Sequence, residues 1–378
     1  MNAPLAVYVH IPFCKSKCLY CDFNSYAGMD SFHASYFAAL DKELEKHLPT
    51  CKTRGIRSIF FGGGTPTAVD PQYLTAILSK LKPFLISEDV DDAEITLECN
   101  PGTGTNSFPA LFTAGFNRIS IGVQSVHDLE LQALGRIHNF AQFVETFEAA
   151  RAAGFQNINV DLMFGIPNQT LASWEKTIET ILALRPEHIS AYGLKVEEGT
   201  PFAQLERAGQ LLLPEDAEER LMYRVAMKRL ASAGYEHYEI SNWSLPGYAC
   251  KHNLVYWTCG EYVGLGAGAH AYLDGRRFGN RVGVQDYIIA APDCINQDEV
   301  YDIDRDEQMR EYMMLGLRLN AGVSEAEFLA CFGVEMRVKF DEQIQRLVTK
   351  GLIAAEDDSI RLTTHGLDFA NEAFIEFV

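Results

Sequence analysis

Three cysteines near the amino-terminal end carry the strongest chemical signal in the sequence. Cys14, Cys18 and Cys21 lie in the string CKSKCLYC, with the spacing CxxxCxxC. Three thiolates on one short loop can bind three corners of a cubane iron–sulfur cluster, because cysteine thiolates are the usual protein ligands of such clusters. The fourth iron then has no protein ligand, and an open coordination position lets a metal bind a substrate directly. We therefore predict a [4Fe–4S] cluster on this loop.

Two other interpretations of these cysteines stay open. They could be three free thiols, or a zinc site completed by His10 or a distant cysteine. Zinc loops usually carry CxxC pairs, often two of them. Neither alternative accounts for the spacing together with the surrounding aromatic residues Phe13, Tyr20 and Phe23.

The elements that must position this loop alternate between strand and helix patterns. Strands are predicted at residues 6–11, 58–61, 94–98, 117–123, 157–163 and 188–194. Helical patterns separate them, and about six βα units imply a parallel sheet with helices outside. We predict an α/β fold, a partial (β/α)6 TIM-like barrel, with an open doubly wound sheet as the alternative. In a barrel the functional site lies at the C-terminal ends of the strands.

Polar residues and glycines follow those predicted strand ends. A lone carboxylate at a strand end is usually a capping or ion-paired residue. Several polar side chains at the same end of successive strands favour a polar pocket instead. An arginine can hold a carboxylate with two parallel hydrogen bonds, and carboxylates can accept from hydroxyls or an ammonium. The residues concerned are Gly63, Gly64, Thr65, Glu98, Gln124, Arg136 and Asp161.

The cysteine spacing, with Tyr8 ahead of it, resembles the radical S-adenosylmethionine (SAM) superfamily. Nearly the whole chain resembles its coproporphyrinogen dehydrogenase-like branch, including GLGAGAHAY at residues 264–272. The resemblance implies that the open iron takes the amino and carboxylate groups of SAM, and that an electron passed through the cluster cleaves SAM to a 5′-deoxyadenosyl radical. It implies a radical SAM barrel whose SAM contacts are Tyr8, Tyr20, Gly63, Gly64, Thr65, Glu98, Gln124, Arg136 and Asp161. Lys195 stands where the oxidase of this branch has a small residue, so no contact is assigned to it.

The glycines of the string at residues 264–272 also fit another pattern. Gly264, Gly266 and Ala269 match GxGxxA, but the strand-to-helix setting and the later acidic residue of a dinucleotide site are missing. We do not expect a dinucleotide there.

A second motif lies in a stretch rich in glycine and aromatic residues. The string HNxxYW at residues 252–257 resembles the motif of heme chaperones of the HemW type, which bind heme and pass it to respiratory hemoproteins. A neutral imidazole is a common axial ligand of heme iron, and Tyr and Trp can stack on a porphyrin. The resemblance implies heme at His252. The alternatives are a buried histidine hydrogen-bonded within an aromatic cluster, and a zinc site with Cys250 and Cys259.

Two functions compete on these motifs. The first is a heme chaperone on a radical SAM scaffold that delivers heme to respiratory hemoproteins. The second is an oxygen-independent coproporphyrinogen III oxidase of porphyrin biosynthesis. Phe23 stands where that oxidase has a fourth cysteine, and its substrate-covering N-terminal extension does not precede Cys14 here. We therefore favour the chaperone and doubt catalytic turnover. A plain metal-binding interaction protein would require the SAM motifs to be accidental.

The domain organisation is predicted in three parts. Residues 1–240 form the barrel, residues 241–300 an extension that carries HNxxYW, and residues 301–378 a C-terminal helical, winged-helix-like module. The acidic stretch at residues 298–307 is predicted to be a linker or a helix start.

Charge and composition restrict the partners. The 378 residues include 32 Lys and Arg against 51 Asp and Glu, a formal net charge of −19. This charge argues against bulk nucleic-acid binding and against electrostatic docking on an anionic bilayer. The first cation is Lys15 and no apolar run is long enough to span a membrane, so we expect a cytoplasmic protein with reduced thiols. The family resemblance implies heme and acceptor hemoproteins as partners, transient contact with a membrane protein, and dimers. Four further cysteines are expected to be buried: Cys51, Cys99, Cys294 and Cys331.

Overall fold

The computed structural model describes residues 3–86, 93–356 and 358–378. The strands are, in chain order, β1 (Leu5–Ile11), β2 (Phe13–Cys14), β3 (Tyr26–Ala27), β4 (Ile56–Gly63), β5 (Glu94–Cys99), β6 (Arg118–Gln124), β7 (Asn157–Phe164), β8 (His188–Gly193), β9 (Glu236–Glu239), β10 (Asn242–Ser244), β11 (Tyr262–Leu265), β12 (His270–Leu273), β13 (Arg276–Asn280), β14 (Ile295–Asp302), β15 (Val323–Ser324), β16 (Ile353–Ala355) and β17 (Ser359–Leu362). The helices are α1 (His33–Arg54), α2 (Pro71–Leu81), α3 (Phe108–Ala114), α4 (Asp128–Ala133), α5 (Phe140–Ala153), α6 (Leu171–Leu184), α7 (Pro201–Arg207), α8 (Asp216–Ser232), α9 (Lys251–Trp257), α10 (Val284–Ala290), α11 (Arg305–Gly316), α12 (Glu325–Phe332), α13 (Met336–Lys339), α14 (Asp341–Thr349), α15 (Thr364–Asp368) and α16 (Ala370–Ile375).

Six parallel strands in sequence order form the centre of the main sheet. The order β1, β4, β5, β6, β7, β8 joins each strand to the next one of the predicted βα series. All seven residues of β6 are buried, as expected for a parallel strand covered on both faces. The predicted α/β class with a partial barrel of six βα units is confirmed. In the described residues the sheet order is linear, with β14 and β9 at its two ends.

Local signals start and end the helices that cover this sheet. The Asp70 side chain accepts a hydrogen bond from the Gln72 amide at 2.9 Å and caps α2, with Pro71 at the first helical position. Capping boxes begin α5 at Asn139 and α6 at Thr170. The apolar faces of these helices and of the strands share one core.

The stretch that carries HNxxYW extends the same sheet. Strand β11 pairs in parallel with β1, and β12, β13 and β14 follow in antiparallel order. The motif itself forms the short helix α9.

The prediction of a linker or helix start at residues 298–307 is half wrong. Residues up to Asp302 belong to strand β14, which pairs with β13, and only from Arg305 does a helix run. Pairing with β13 holds the acidic residues extended, and Asp304 then caps α11 by accepting from the Glu307 amide at 2.9 Å.

The C-terminal part has a core of its own. Helices α11 to α16 surround a three-stranded sheet of order β15-β17-β16, and apolar residues such as Met313, Phe328 and Leu347 fill the interior. This agrees with the predicted helical module with a small hairpin, whose turn residue Asp357 lies outside the described residues. The module joins the edge of the main sheet, where the Asn320 amide donates to the Tyr238 carbonyl at 3.0 Å.

Of the four further cysteines that were predicted to be buried, one is exposed. Cys51, Cys99 and Cys294 are buried as expected, but Cys331 is exposed on α12. The core side of α12 is taken by Phe328 and Phe332, so Cys331 falls on the outer face. None of the described helices is both long and apolar enough to cross a membrane.

Candidate functional site

A cavity of about 280 Å³ opens at the C-terminal ends of the parallel strands. The chain brings most of the predicted site residues to its wall, because the ends of parallel strands share one edge of the sheet. The predicted residues that line it are Cys14, Cys18, Tyr20, Cys21, Gly63, Gly64, Glu98, Gln124, Arg136 and Asp161. Three predicted residues do not line it: Tyr8, Thr65 and His252.

Each of the three loop cysteines has a hydrogen-bond donor beside its sulfur. Thr65 Oγ1 lies 3.4 Å from Cys14 Sγ, Arg136 Nη1 lies 3.4 Å from Cys18 Sγ, and the Ser25 hydroxyl lies 3.9 Å from Cys21 Sγ. Donors and a cation near sulfur favour the thiolate, the form that binds metal. The donor set therefore fits three thiolate ligands on one side of a cavity.

Opposing effects act on these thiols. Burial raises the pKa of Cys14 and of Cys21, and the neighbouring hydroxyls lower it.

A site for a single metal ion is a different matter from a cluster site. In the described part of the chain, no three His, Cys, Asp or Glu side chains are placed to hold a single metal ion.

The glycine loop after β4 lies directly against the start of the cysteine loop. The Gly64 amide donates to the Ile11 carbonyl at 2.9 Å, and the Thr65 amide donates to the Phe13 carbonyl at 2.8 Å. A Cβ atom on Gly64 would come within 2.7 Å of the Ile11 oxygen, and Gly63 has a φ of 103°. Only glycine allows this close approach of two backbones.

Two carboxylates share the cavity floor. Glu98 accepts from the Gly63 amide at 2.9 Å, and Asp161 accepts from Asn159 Nδ2 at 2.7 Å and from the Ser120 hydroxyl. Burial and the Asp161 charge raise the pKa of Glu98 to about 8, and burial raises the pKa of Asp161. A cationic ligand would relieve this repulsion, so the pair suits a sulfonium or an ammonium group.

Arg136 links the cysteine side of the cavity to its floor. Its guanidinium donates to Cys18 Sγ, to Asn100 Oδ1 at 2.7 Å and to the Gly122 carbonyl. Asn100 in turn donates to Thr65 Oγ1 at 2.7 Å. Thr65 therefore acts behind the cysteines and the arginine, not on the cavity wall.

Gln124 reaches the cavity through a local distortion of β6. Its φ of 69° is unusual for a residue other than glycine, and it coincides with a register shift between β6 and β7. The side chain accepts a hydrogen bond from Tyr192 Oη at 2.9 Å. Bulges of this kind re-aim side chains at functional sites.

The other two predicted residues outside the cavity have different surroundings. The Tyr8 hydroxyl lies 3.0 Å from His10 Nδ1. His252 is buried under the barrel, with Ser58 Oγ 3.0 Å from Nδ1 and Tyr256 Oη 2.9 Å from Nε2. The SAM role of Tyr8 and the heme role of His252 stay predictions.

Several cavity residues were missed by sequence reasoning. Asn100 follows Glu98 within the same ECNP string, and Ser120 and Tyr192 lie on β6 and β8 with their side chains in the barrel interior. Asking which polar residues end the sixth strand would have found Tyr192. Lys195 also lines the cavity mouth and forms an ion pair with Glu197 at 2.6 Å.

Comparison with known proteins agrees with this geometry. Residues 8–181 match the family model of the radical SAM superfamily, and residues 303–369 match the HemN C-terminal domain. The sequence is 38% identical over 375 residues to the heme chaperone HemW of Bacillus subtilis, which covers 99% of both chains. The chain belongs to the HemW family of radical SAM proteins. The heme chaperone HemW of Escherichia coli is 34% identical, over 97% of this chain and 96% of that one.

A solved structure has the same fold. The coproporphyrinogen III oxidase HemN of Escherichia coli, a radical SAM enzyme, matches with a TM-score of 0.85 at 21% identity, over 100% of this chain and 90% of that one. At this identity the match supports the architecture of the HemW family member and not its activity.

Family membership implies a [4Fe–4S] cluster and SAM, and the cavity residues fit both groups. When bound, the cluster supplies an open iron for SAM and an electron. The three thiols would hold the cluster, and Arg136 would place a positive charge beside Cys18. The carboxylates of Glu98 and Asp161 would face the cationic part of SAM.

The raised pKa of Glu98 predicts a pH-dependent affinity for SAM. Below about pH 8 the carboxyl is largely protonated, so binding of a cation must displace the proton. The affinity should fall by up to about tenfold for each pH unit below that value. Equilibrium dialysis with SAM between pH 6 and 9 measures it. Glu98→Gln should flatten the dependence, and an equally steep curve in that variant would contradict the assignment.

Proposed function

We propose that this protein is a heme chaperone that binds heme beside its HNxxYW helix and passes it to respiratory hemoproteins. Its curated relatives carry the name heme chaperone HemW over almost their whole length. The observation that carries the proposal is a second cavity, of about 360 Å³, beside α9. That volume lies within the range of about 300–1,000 Å³ of small-molecule sites.

The lining of this cavity suits a flat, largely apolar ring with acidic side groups. Two aromatic residues of the motif, Tyr256 and Trp257, are joined there by Tyr262 and Tyr272. Aromatic faces stack on a porphyrin plane. Arg277 lies at the same wall, paired with Glu311 through two hydrogen bonds of 2.8 Å, so it can bind a propionate only by leaving Glu311.

His252 lies next to this cavity but does not line it. Burial, and then the charge of Arg118, lower the pKa of His252 to about 3, so the ring is neutral at physiological pH. A neutral ring is the form that binds iron. Because Tyr256 occupies the Nε2 side at 2.9 Å, ligation by His252 requires the Tyr256 side chain to swing away.

Titration with hemin, followed by the Soret band, tests this proposal. His252→Ala should shift the band and weaken binding by about tenfold, a loss of about 1.4 kcal/mol. Trp257→Ala should weaken binding through lost stacking. His270→Ala removes an exposed histidine of β12 and is the control. A parent-like band and affinity in His252→Ala would remove His252 as axial ligand, and parent-like binding in both variants would contradict the site.

The alternative function is oxidation of coproporphyrinogen III. Its support is the cavity at the strand ends, whose lining suits the cluster and SAM that the family implies. Phe23 counts against this function, because it stands where the oxidase has a fourth cysteine. It lines the same cavity, with 61% of its surface exposed. Anaerobic incubation with coproporphyrinogen III, SAM and a reductant should yield no protoporphyrinogen IX. Formation of that product would make the oxidase the better assignment.

The cellular setting belongs to the same proposal. We place the protein in the cytoplasm, with an acceptor that sits at a membrane and with dimers as the functional form. Co-purification with heme-depleted respiratory proteins and light scattering are the corresponding measurements.

A further inference from the structure

The glycine turn at residues 266–269, between β11 and β12, touches the cysteine loop. The sequence GAGA of this turn is followed by a strand and not by a helix, so it has no helix N-terminus for a phosphate. Its backbone atoms instead face Asn24, three residues after Cys21.

Asn24 is the point of contact. Its Nδ2 donates to the Ala267 carbonyl at 2.9 Å and to the Val282 carbonyl at 3.0 Å, both more than 240 residues away in the chain. Its own backbone carbonyl lies 2.8 Å from His10 Nε2. The side-chain amide and the backbone carbonyl of Asn24 thus tie the end of the cysteine loop to three places: the glycine turn, the segment after β13, and β1.

The turn can approach Asn24 only because it has glycine at residue 268. Gly268 has a φ of 71°, and a Cβ atom there would lie 2.6 Å from Asn24 Nδ2. Gly266 is equally confined, because a Cβ atom would lie 2.6 Å from the His10 carbonyl oxygen. Tyr36 Oη links β1 to the glycine turn, since it donates to the His10 carbonyl at 2.8 Å and accepts from the Ala267 amide at 3.0 Å.

We infer that Asn24 is a positioning residue that holds the cysteine loop in its ligand geometry, braced by the glycine turn at residues 266–269. The inference rests on the proposed cluster on Cys14, Cys18 and Cys21. Without the brace the loop would have to be ordered when the cluster binds. Partners that orient metal ligands typically change metal affinity by about 10- to 100-fold when removed.

The test uses two variants of Asn24, one variant of the glycine turn and one matched control. Asn24→Ala removes the donors, and Gly268→Ala pushes a methyl group into Asn24. Asn24→Asp keeps the size but cannot donate. Gly275→Ala is the control, because Gly275 has a similar φ of 73° on the next turn with Gln308 as its nearest neighbour. Comparable backbone strain therefore arises there without contact to the loop.

Two measurements are made on the full chain. In cluster-free protein, hydrogen–deuterium exchange over residues 14–25 should be faster in the three test variants than in the parent and Gly275→Ala. In reconstituted protein, loss of the cluster to a chelator should be about tenfold faster in the same variants, with a changed electron paramagnetic resonance spectrum of the reduced cluster. Parent-like exchange and retention in folded Asn24→Ala and Asn24→Asp would overturn the inference. A parent protein that takes up no iron would overturn the proposed cluster, and the exchange measurement would still decide whether the brace exists.

Discussion

Cys18→Ala is expected to abolish the visible iron–sulfur absorbance of anaerobically reconstituted protein. Cys18 is the middle one of the three proposed ligands, and its sulfur is the one that Arg136 contacts. Two remaining thiolates leave two irons of a cubane without protein ligands, so the cluster should not persist. The measurement is the absorbance spectrum together with the iron content per chain.

The matched control is Cys331→Ala, which removes an exposed thiol on α12 outside the cavity. It should retain the parent spectrum and iron content. An unchanged spectrum in Cys18→Ala, or an equal loss in both variants, would contradict the ligand assignment.

Glu94→Ala is expected to lower the free energy of unfolding by about 3–5 kcal/mol. Glu94 lies at the start of β5, 5% exposed, and faces the buried Arg118 at 3.9 Å. It also accepts from the amides of Lys251 and His252, both at 3.0 Å, and from Cys250 Sγ at 3.2 Å. One carboxylate therefore holds the first turn of α9 under the barrel and balances the charge of Arg118.

Urea denaturation measures this change. Glu342→Ala is the control, because it removes an exposed carboxylate that is paired with Arg346 at 3.6 Å on α14, and such pairs contribute about 0–1 kcal/mol. A similarly small effect of Glu94→Ala would contradict its role as the anchor of α9. Weaker hemin binding in the same variant is expected, since α9 carries the motif.

The central sheet and the cavity wall were predictable because they depend on local patterns. Runs of apolar residues ending in Glu98, Gln124 and Asp161 indicate parallel strands, and parallel strands place their ends together whatever the details of the fold. Tyr8 shows the limit of this reasoning. It lies in the middle of β1, two residues before His10, and the alternation of a strand decides only the face on which it lies.

Contacts between distant parts of the chain were not predictable. No pattern in the sequence near Glu94 predicts that its carboxylate accepts hydrogen bonds from the first turn of α9, more than 150 residues later. The same holds for Asn24 and the glycine turn. Strand β14 was missed because its acidic residues suggested a linker, whereas pairing with β13 decided its conformation. Residues that share a strand end can therefore be predicted from the sequence, and partners that meet only after the chain has folded cannot.

The most direct test of the account is the electron paramagnetic resonance spectrum of anaerobically reconstituted, reduced protein with and without SAM. We expect about four irons per chain, the spectrum of a reduced [4Fe–4S] cluster, and a clear change of that spectrum when SAM binds the open iron. Protein that contains zinc or no iron, or a cluster whose spectrum SAM leaves unchanged, would contradict the claim that Cys14, Cys18 and Cys21 hold a cluster with one iron free for SAM.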